Sequence, residues 1–167
     1  MTEEKLKVLF LCTGNSARSI MAEALLQKMG QNQFEAYSAG SIPKGYVNPF
    51  AIEVLKANNF NTDMFRSKSW DEFEGGDAPK LDFVFTVCDN AANGLCPIWA
   101  GHPISAHWGI EDPDNPKLSD DEQRTLFQST YRQLEHRIKI FTDLSFNNLD
   151  SSSLQKELDD IGKIKLD

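Results

Sequence analysis

Val8-Leu9-Phe10-Leu11-Cys12-Thr13-Gly14-Asn15-Ser16-Ala17-Arg18-Ser19 runs from an apolar strand through a short loop into the start of a helix. A cysteine between a strand end and a helix start faces the unpaired N–H groups of the first helical turn, which bind anions. Those groups also favour thiolate over thiol, and cysteines so placed have pKa values of about 3.5–7.5 rather than about 8.5. Gly14 and Asn15 tolerate the positive φ angles that curl backbone N–H groups around an oxyanion. Arg18 adds a planar fork that grips two oxygens of a tetrahedral ion. Thr13, Gly14, Asn15, Ser16, Ala17, Arg18 and Ser19 therefore form a candidate oxyanion cradle, with Cys12 beneath it as nucleophile. A buried strand-end cysteine beside a surface arginine has the same C-x5-R spacing. The strand–loop–helix context and the Gly-Asn turn favour the cradle.

Outward from this stretch, strand and helix patterns alternate. Residues 6–11 read as a buried strand, followed by a helix over about 19–29 with Met21, Ala24, Leu25 and Met29 on one face and Gly30 as its stop. Residues 34–39 form a second strand. Asn48-Pro49 starts a second helix, with Ala51, Ile52 and Leu55 inward. Residues 81–87 are the clearest central strand and 104–108 a short fourth one. Ser119-Asp120-Asp121-Glu122 is a capping box for a long helix carrying Phe127, Tyr131, Leu134, Ile138 and Phe141 at helical spacing. Ser152-Ser153-Leu154-Gln155 reads as a second capping box, and Leu154, Leu158 and Ile161 as the stripe of a terminal helix. The polar segment Ser67-Lys68-Ser69-Trp70-Asp71-Glu72-Phe73 reads as a solvated connection leading into a short helix, with Ser69 capping. Alternation predicts an α/β domain: a four-stranded parallel sheet with helices on both faces. Residues 1–149 form the expected domain and 150–167 an extra C-terminal helix docked on it. In such sheets ligands bind beyond the carboxyl ends of the strands, where Cys12, Cys88 and the residues after Trp108 would lie.

Composition narrows the class. The chain has 167 residues, 40% hydrophobic and 25% charged, with a net charge of −8. An acidic protein is a poor partner for nucleic acid or an anionic membrane, so neither is expected. No apolar run approaches the roughly 20 residues that span a bilayer, and the first residues are polar, so a cytoplasmic location is expected. Three cysteines in such a chain favour catalytic or redox use over a structural disulfide framework.

Cys88 directly follows the central strand, and a polar, Gly- and Asn-containing segment separates it from Cys96. This arrangement suits a thiol relay in which Cys88 resolves a bond at Cys12 and Cys96 then resolves Cys88. Two alternatives stand beside it: Cys88 simply buried with Cys96 an incidental loop thiol, or the cysteines binding zinc with His102 or His107. The C-x2–4-C spacing usual for structural zinc is absent. Asp112, in Trp108-Gly109-Ile110-Glu111-Asp112-Pro113, is placed to protonate an oxygen leaving a tetrahedral centre. Asp-Pro is also an ordinary turn opener. No metal or bound cofactor is called for.

Several motifs occur in one order: Cys-Thr-Gly-Asn-Ser-Ala-Arg-Ser at 12–19, Ser38-Ala39-Gly40, Phe85-Thr86-Val87-Cys88-Asp89, Cys96-Pro97, His107-Trp108-Gly109 and Asp112-Pro113. Over residues 6–144 the chain resembles the low-molecular-weight protein tyrosine phosphatase superfamily, and within it the arsenate reductases. The resemblance implies that Cys12 attacks the oxyanion, Arg18 clamps it and Asp112 is the acid. It further implies that Ser19 hydrogen-bonds the thiolate, that Asn15 and Ser38 brace the loop, and that Cys88 and Cys96 carry electrons outward. Many members have another cysteine in the loop where this chain has Ala17, which leaves Cys88 as first resolving thiol. Some reductases bind potassium through an acidic residue after the second helix; the matching position here is Trp70, so that site is not carried over.

The function implied is reduction of arsenate to arsenite. The substrate is arsenate or a phosphate-like oxyanion, and the electron donor is thioredoxin, or a low-molecular-weight thiol with glutaredoxin. The alternative is hydrolysis of phosphotyrosine through a phosphocysteine at Cys12. Phosphatases of this type place tyrosine after Asp-Pro to sandwich the substrate ring, whereas Asp114 and Asn115 follow here.

Overall fold

The computed structural model describes residues 5–74, 77–87 and 103–164. Four strands, β1 (Leu6–Cys12), β2 (Phe34–Gly40), β3 (Phe83–Thr86) and β4 (Ile104–His107), form one parallel sheet in the order β2-β1-β3-β4. Among the described residues there are four α-helices: α1 (Arg18–Met29), α2 (Pro49–Ala57), α3 (Asp120–Thr142) and α4 (Ser151–Ile161). The sheet is thus the expected one. Its strands all end at the same edge, where Cys12 of β1 lies beside Gly40 of β2 and Leu11 beside Thr86 of β3.

Successive side chains of a strand point to opposite faces, yet Val8, Leu9, Phe10 and Leu11 are all fully buried, so both faces of the sheet are covered. One face carries an aromatic core: Phe83 and Phe85 meet Phe141 of α3, and Phe10 and Phe85 meet Trp108, which stacks on Phe85 at 3.9 Å between ring centroids. On the other side Phe73 packs edge-on against Tyr37. The five apolar residues read from the α3 stripe are all buried, and Ser119 and Glu122 close both halves of the capping box.

Three local expectations change. Burial on α1 is not a narrow stripe but runs unbroken from Ser19 to Leu26, because the helix packs on β1 and β2 and against both α2 and α3; Met29 is only half-buried. On α2 it is Val54, with Ala51 and Leu55, that is buried, while Ile52 is half-exposed. The cap of α4 is Asp150, whose carboxylate accepts the Ser153 N–H at 2.7 Å, and not the box at 152–155; Gln155 instead donates to the Ser105 carbonyl at the sheet edge.

Helix α4 closes the open side of β4. Leu154, Leu158 and Ile161 are buried, and the Trp108 indole N–H donates to the Leu158 carbonyl at 2.9 Å. A side chain at Gly162 would collide with the His107 carbonyl, so only glycine allows this approach. Arg137 of α3 ties the corner together. Its guanidinium is buried among backbone carbonyls, donating to Trp108 at 2.8 Å, Gly109 at 3.2 Å and Ile164 at 2.9 Å. Burial pushes its pKa down from the usual value. Arg137 thereby fixes the chain just before Ile110 and Asp112. Replacing it with Met leaves those carbonyls without a donor and should cost about 2–3 kcal/mol. The readout is the midpoint of urea unfolding at constant slope.

Candidate active site

The 12–19 loop is shaped by where its carbonyl oxygens go. The Thr13 carbonyl accepts the Ile42 N–H at 2.9 Å, Gly14 accepts Lys44 N–H at 2.9 Å, and Ser16 accepts the α2 cap residue Asn48 at 2.8 Å. The Ser67 hydroxyl adds a second bond to the Gly14 carbonyl at 3.1 Å. In a trans peptide the C=O and the following N–H point in opposite directions, and no peptide here is cis. Carbonyls held outward by the 42–48 segment therefore turn the N–H groups of Gly14, Asn15 and Ala17 inward. Helix α1 begins at this point with Ala17 as its cap residue and no side-chain cap, which leaves its first-turn donors directed to the same place.

Asn15 holds the turn. Its φ of 45° is left-handed, which asparagine tolerates better than most residues. Its fully buried side chain accepts the Lys68 N–H at 2.8 Å and donates to the Ser19 hydroxyl at 2.8 Å. Gly14, expected to share the positive φ, does not adopt one; its lack of a side chain lets Lys44 pack directly over it. Gly40 at the end of β2 is similarly constrained, since a Cβ there would sit 2.5 Å from the Thr13 carbonyl.

Cys12, Thr13, Gly14, Ser16, Ala17 and Arg18 line a cavity of about 360 Å³, together with Ile42, Lys44 and Asp112. Cys12 is buried at its floor. The Arg18 guanidinium is braced by the Ile110 carbonyl at 2.9 Å and lies 3.4 Å from the half-exposed Asp112 carboxylate. Its Nε–H is buried and has no hydrogen-bond partner among the described residues. A tetrahedral oxyanion above Cys12 would supply the missing acceptor. The structure therefore brings Cys12, Thr13, Gly14, Ser16, Ala17, Arg18 and Asp112 to one cavity, whereas Asn15 and Ser19, also expected in the cradle, are fully buried and bonded to each other and do not line it. Cys88, Cys96 and His102 lie outside the described residues.

Behind the loop lies a buried pair. Glu23 of α1 accepts a short hydrogen bond from the Ser38 hydroxyl, and the Lys68 ammonium stands 3.8 Å from the Glu23 carboxylate and 3.5 Å from Ser38. Burial pushes the Glu23 pKa up and the Lys68 pKa down, against the attraction between them. Because the Lys68 backbone also holds Asn15, the segment 67–69 is a brace for the loop and not a solvated connection. Among the described residues Ser38 is tied to the loop through this pair. A lone glutamate within the apolar stretch 20–26 is a sequence signal by which the pair could be found. The lysine carries no comparable signal.

The chain belongs to the low molecular weight phosphotyrosine protein phosphatase family, whose model matches residues 7–159. It is 35% identical over 134 residues to the arsenate reductase of Oceanobacillus iheyensis, an alignment covering 80% of this chain and 93% of that one. Among solved structures, the arsenate reductase of Archaeoglobus fulgidus superposes with a TM-score of 0.65 at 27% identity, over 82% of this chain and 99% of that chain. The thioredoxin-dependent arsenate reductase of Corynebacterium glutamicum superposes with a TM-score of 0.60 at 25% identity, over 83% of this chain; the match spans 61% of that longer chain.

The buried pair makes opposite predictions for its two members. In Lys68→Met, Glu23 keeps a raised pKa without its cation, and a raised pKa contributes stability at low pH that is lost as pH rises through it. In Glu23→Gln, Lys68 keeps a lowered pKa, and that contribution is lost as pH falls through it. Urea unfolding followed against pH should show Lys68→Met losing stability as pH rises above 4.5 and Glu23→Gln losing stability as pH falls below 10.5. At its worst end each variant should be weaker than the parent by about 3 kcal/mol.

Proposed function

We propose that this protein reduces arsenate to arsenite, with Cys12 as nucleophile, Arg18 and the inward N–H groups of residues 13–19 as the oxyanion clamp, and Asp112 as proton donor. The observation that carries this reading is the convergence on one cavity of a buried strand-end thiol, an arginine with a buried unpartnered N–H and a carboxylate at the mouth. The names of the relatives support arsenate as the substrate.

Oriented N–H donors and Arg18 gather the negative charge of arsenate over Cys12, against the repulsion of a chain with a net charge of −8. The Cys12 thiolate attacks arsenic, and an oxygen leaves as water once Asp112 has protonated it. The Cys88 thiolate then attacks Cys12 Sγ. The sulfur–arsenic bond breaks with its electron pair passing to arsenic, so As(V) becomes As(III), arsenite departs, and a Cys12–Cys88 disulfide remains. Cys96 attacks Cys88, which frees the Cys12 thiolate and moves the disulfide to Cys88–Cys96. An external dithiol reduces that disulfide and is itself oxidised. Thioredoxin is the donor favoured by the similarity to a thioredoxin-dependent enzyme, in a reducing compartment such as the cytoplasm.

Cys12, Arg18 and Asp112 would equally serve hydrolysis of a phosphate ester, which needs neither Cys88 nor Cys96. The two activities separate by mutation. Arsenate-dependent NADPH oxidation with thioredoxin and thioredoxin reductase should proceed in the parent protein. It should stop after at most one turnover in Cys88→Ser and lose recycling in Cys96→Ser. Both variants should retain any p-nitrophenyl phosphate hydrolysis, and Cys12→Ser should lose both activities. Steady arsenate turnover without Cys88 would exclude the relay. Ester hydrolysis with no arsenate reduction in the parent would make the protein a phosphatase.

A further inference from the structure

We infer that Lys44 and Asp114 form a bar across the cavity mouth that admits a free tetrahedral oxyanion and disfavours the same oxyanion carrying an aryl group. The inference rests on the reading of this cavity as an oxyanion site. Ile42 and Lys44 line one wall of the cavity and Asp112 another. The Lys44 backbone is tied to the loop through its N–H bond to the Gly14 carbonyl, and its stem lies flat on the loop: a Cβ added at Gly14 would meet three of its carbons at 3.2–3.3 Å. From there the ammonium reaches the Asp114 carboxylate at 3.1 Å. Asp114 in turn donates its N–H to the Asp112 carboxylate at 3.0 Å. The bar thus joins the two walls and is anchored on the turn that carries Asp112.

The consequences differ by ligand. A free oxyanion lies wholly inside the cradle and meets the Lys44 charge as it enters. An aryl ester or phosphonate must project its ring outward through the mouth, where the ion pair stands. Neither Asp114 nor Asn115 offers an aromatic surface for that ring. The pair is partly exposed, with 41% of the Lys44 side chain and 25% of that of Asp114 accessible, so it can part when a ring forces it. The penalty of parting an exposed pair corresponds to about a fivefold loss of affinity. Once it has parted, Ile42, which is 73% exposed, offers the ring an apolar wall.

The test uses protection of Cys12 from iodoacetamide, followed by peptide mass spectrometry, with inorganic phosphate and phenylphosphonate as the two protecting ligands. Neither is reduced, so the result does not depend on arsenate turnover. The parent should be half-protected at a lower concentration of phosphate than of phenylphosphonate. In Asp114→Ala the ratio of the two concentrations should move toward phenylphosphonate by about fivefold. Lys44→Met keeps the stem over Gly14 and should move the ratio the same way, while weakening phosphate itself through loss of the charge. A ratio unchanged from the parent in both variants overturns the bar and leaves the oxyanion site standing. Failure of phosphate to protect Cys12 in the parent overturns the oxyanion site, and the bar with it.

Discussion

The outward hold on the Thr13, Gly14 and Ser16 carbonyls is the constraint on which the rest of this structure depends. A loop of eight residues with its N–H groups turned inward concentrates partial positive charge at one point, and left alone it would relax toward solvating its own donors. Here the 42–48 segment accepts the cost of holding it open by donating three backbone N–H groups to its outer side. The sheet supplies that segment at the required place, because parallel pairing of β1 with β2 in the register Cys12 to Gly40 brings the two strand ends side by side. The fold and the cradle are therefore one arrangement, not a scaffold with a site added to it.

Buried charge is placed where it stiffens this arrangement. Glu23 and Lys68 are both driven toward their neutral forms by burial, and such a pair seldom adds net stability over a well-packed apolar one. Its position explains it better than its energy does. The same lysine residue that answers Glu23 with its ammonium holds the Asn15 side chain with its backbone N–H, and Asn15 is the loop residue in a left-handed conformation. The loop is thus anchored to α1 and β2 from behind as well as to the 42–48 segment from outside. Arg137 does comparable work on the other wall. By binding the Trp108 and Gly109 carbonyls it fixes where β4 releases the chain toward Ile110, whose carbonyl braces Arg18, and Asp112, which faces Arg18. Two buried cationic residues far apart in sequence therefore set the two sides of one cavity.

Local chemistry was enough to read the strands, the four helices among the described residues and the central loop from the sequence. Apolar runs, Asn48-Pro49, the Ser119–Glu122 box and Gly30 act within a few residues, so their effects survive in any fold that contains them. Cys12, Arg18 and Asp112 were legible as candidates for a related reason: Cys12 ends a strand, Arg18 starts a helix and Asp112 lies on the connection that leaves β4, and a parallel sheet gathers such segments at one edge. The narrow face assigned to α1 and the inward Ile52 of α2 were misread because burial on a helix depends on how many neighbours surround it, and α1 has neighbours on nearly every side.

The sequence by itself determined the order of elements, the parallel sheet and the C-x5-R loop at its edge, because hydrophobic periodicity and turn chemistry are short-range and leave little choice of topology. Tertiary structure alone decided which groups hold that loop open. Lys68 meets Glu23, Lys44 meets Asp114 and Arg137 meets the Trp108 carbonyl only after segments separated by tens of residues have packed. Lys68, Lys44 and Arg137 carry no mark in the sequence of whether they will face water or a partner; the desolvation that gives the buried contacts their consequence exists only once the core has closed around them.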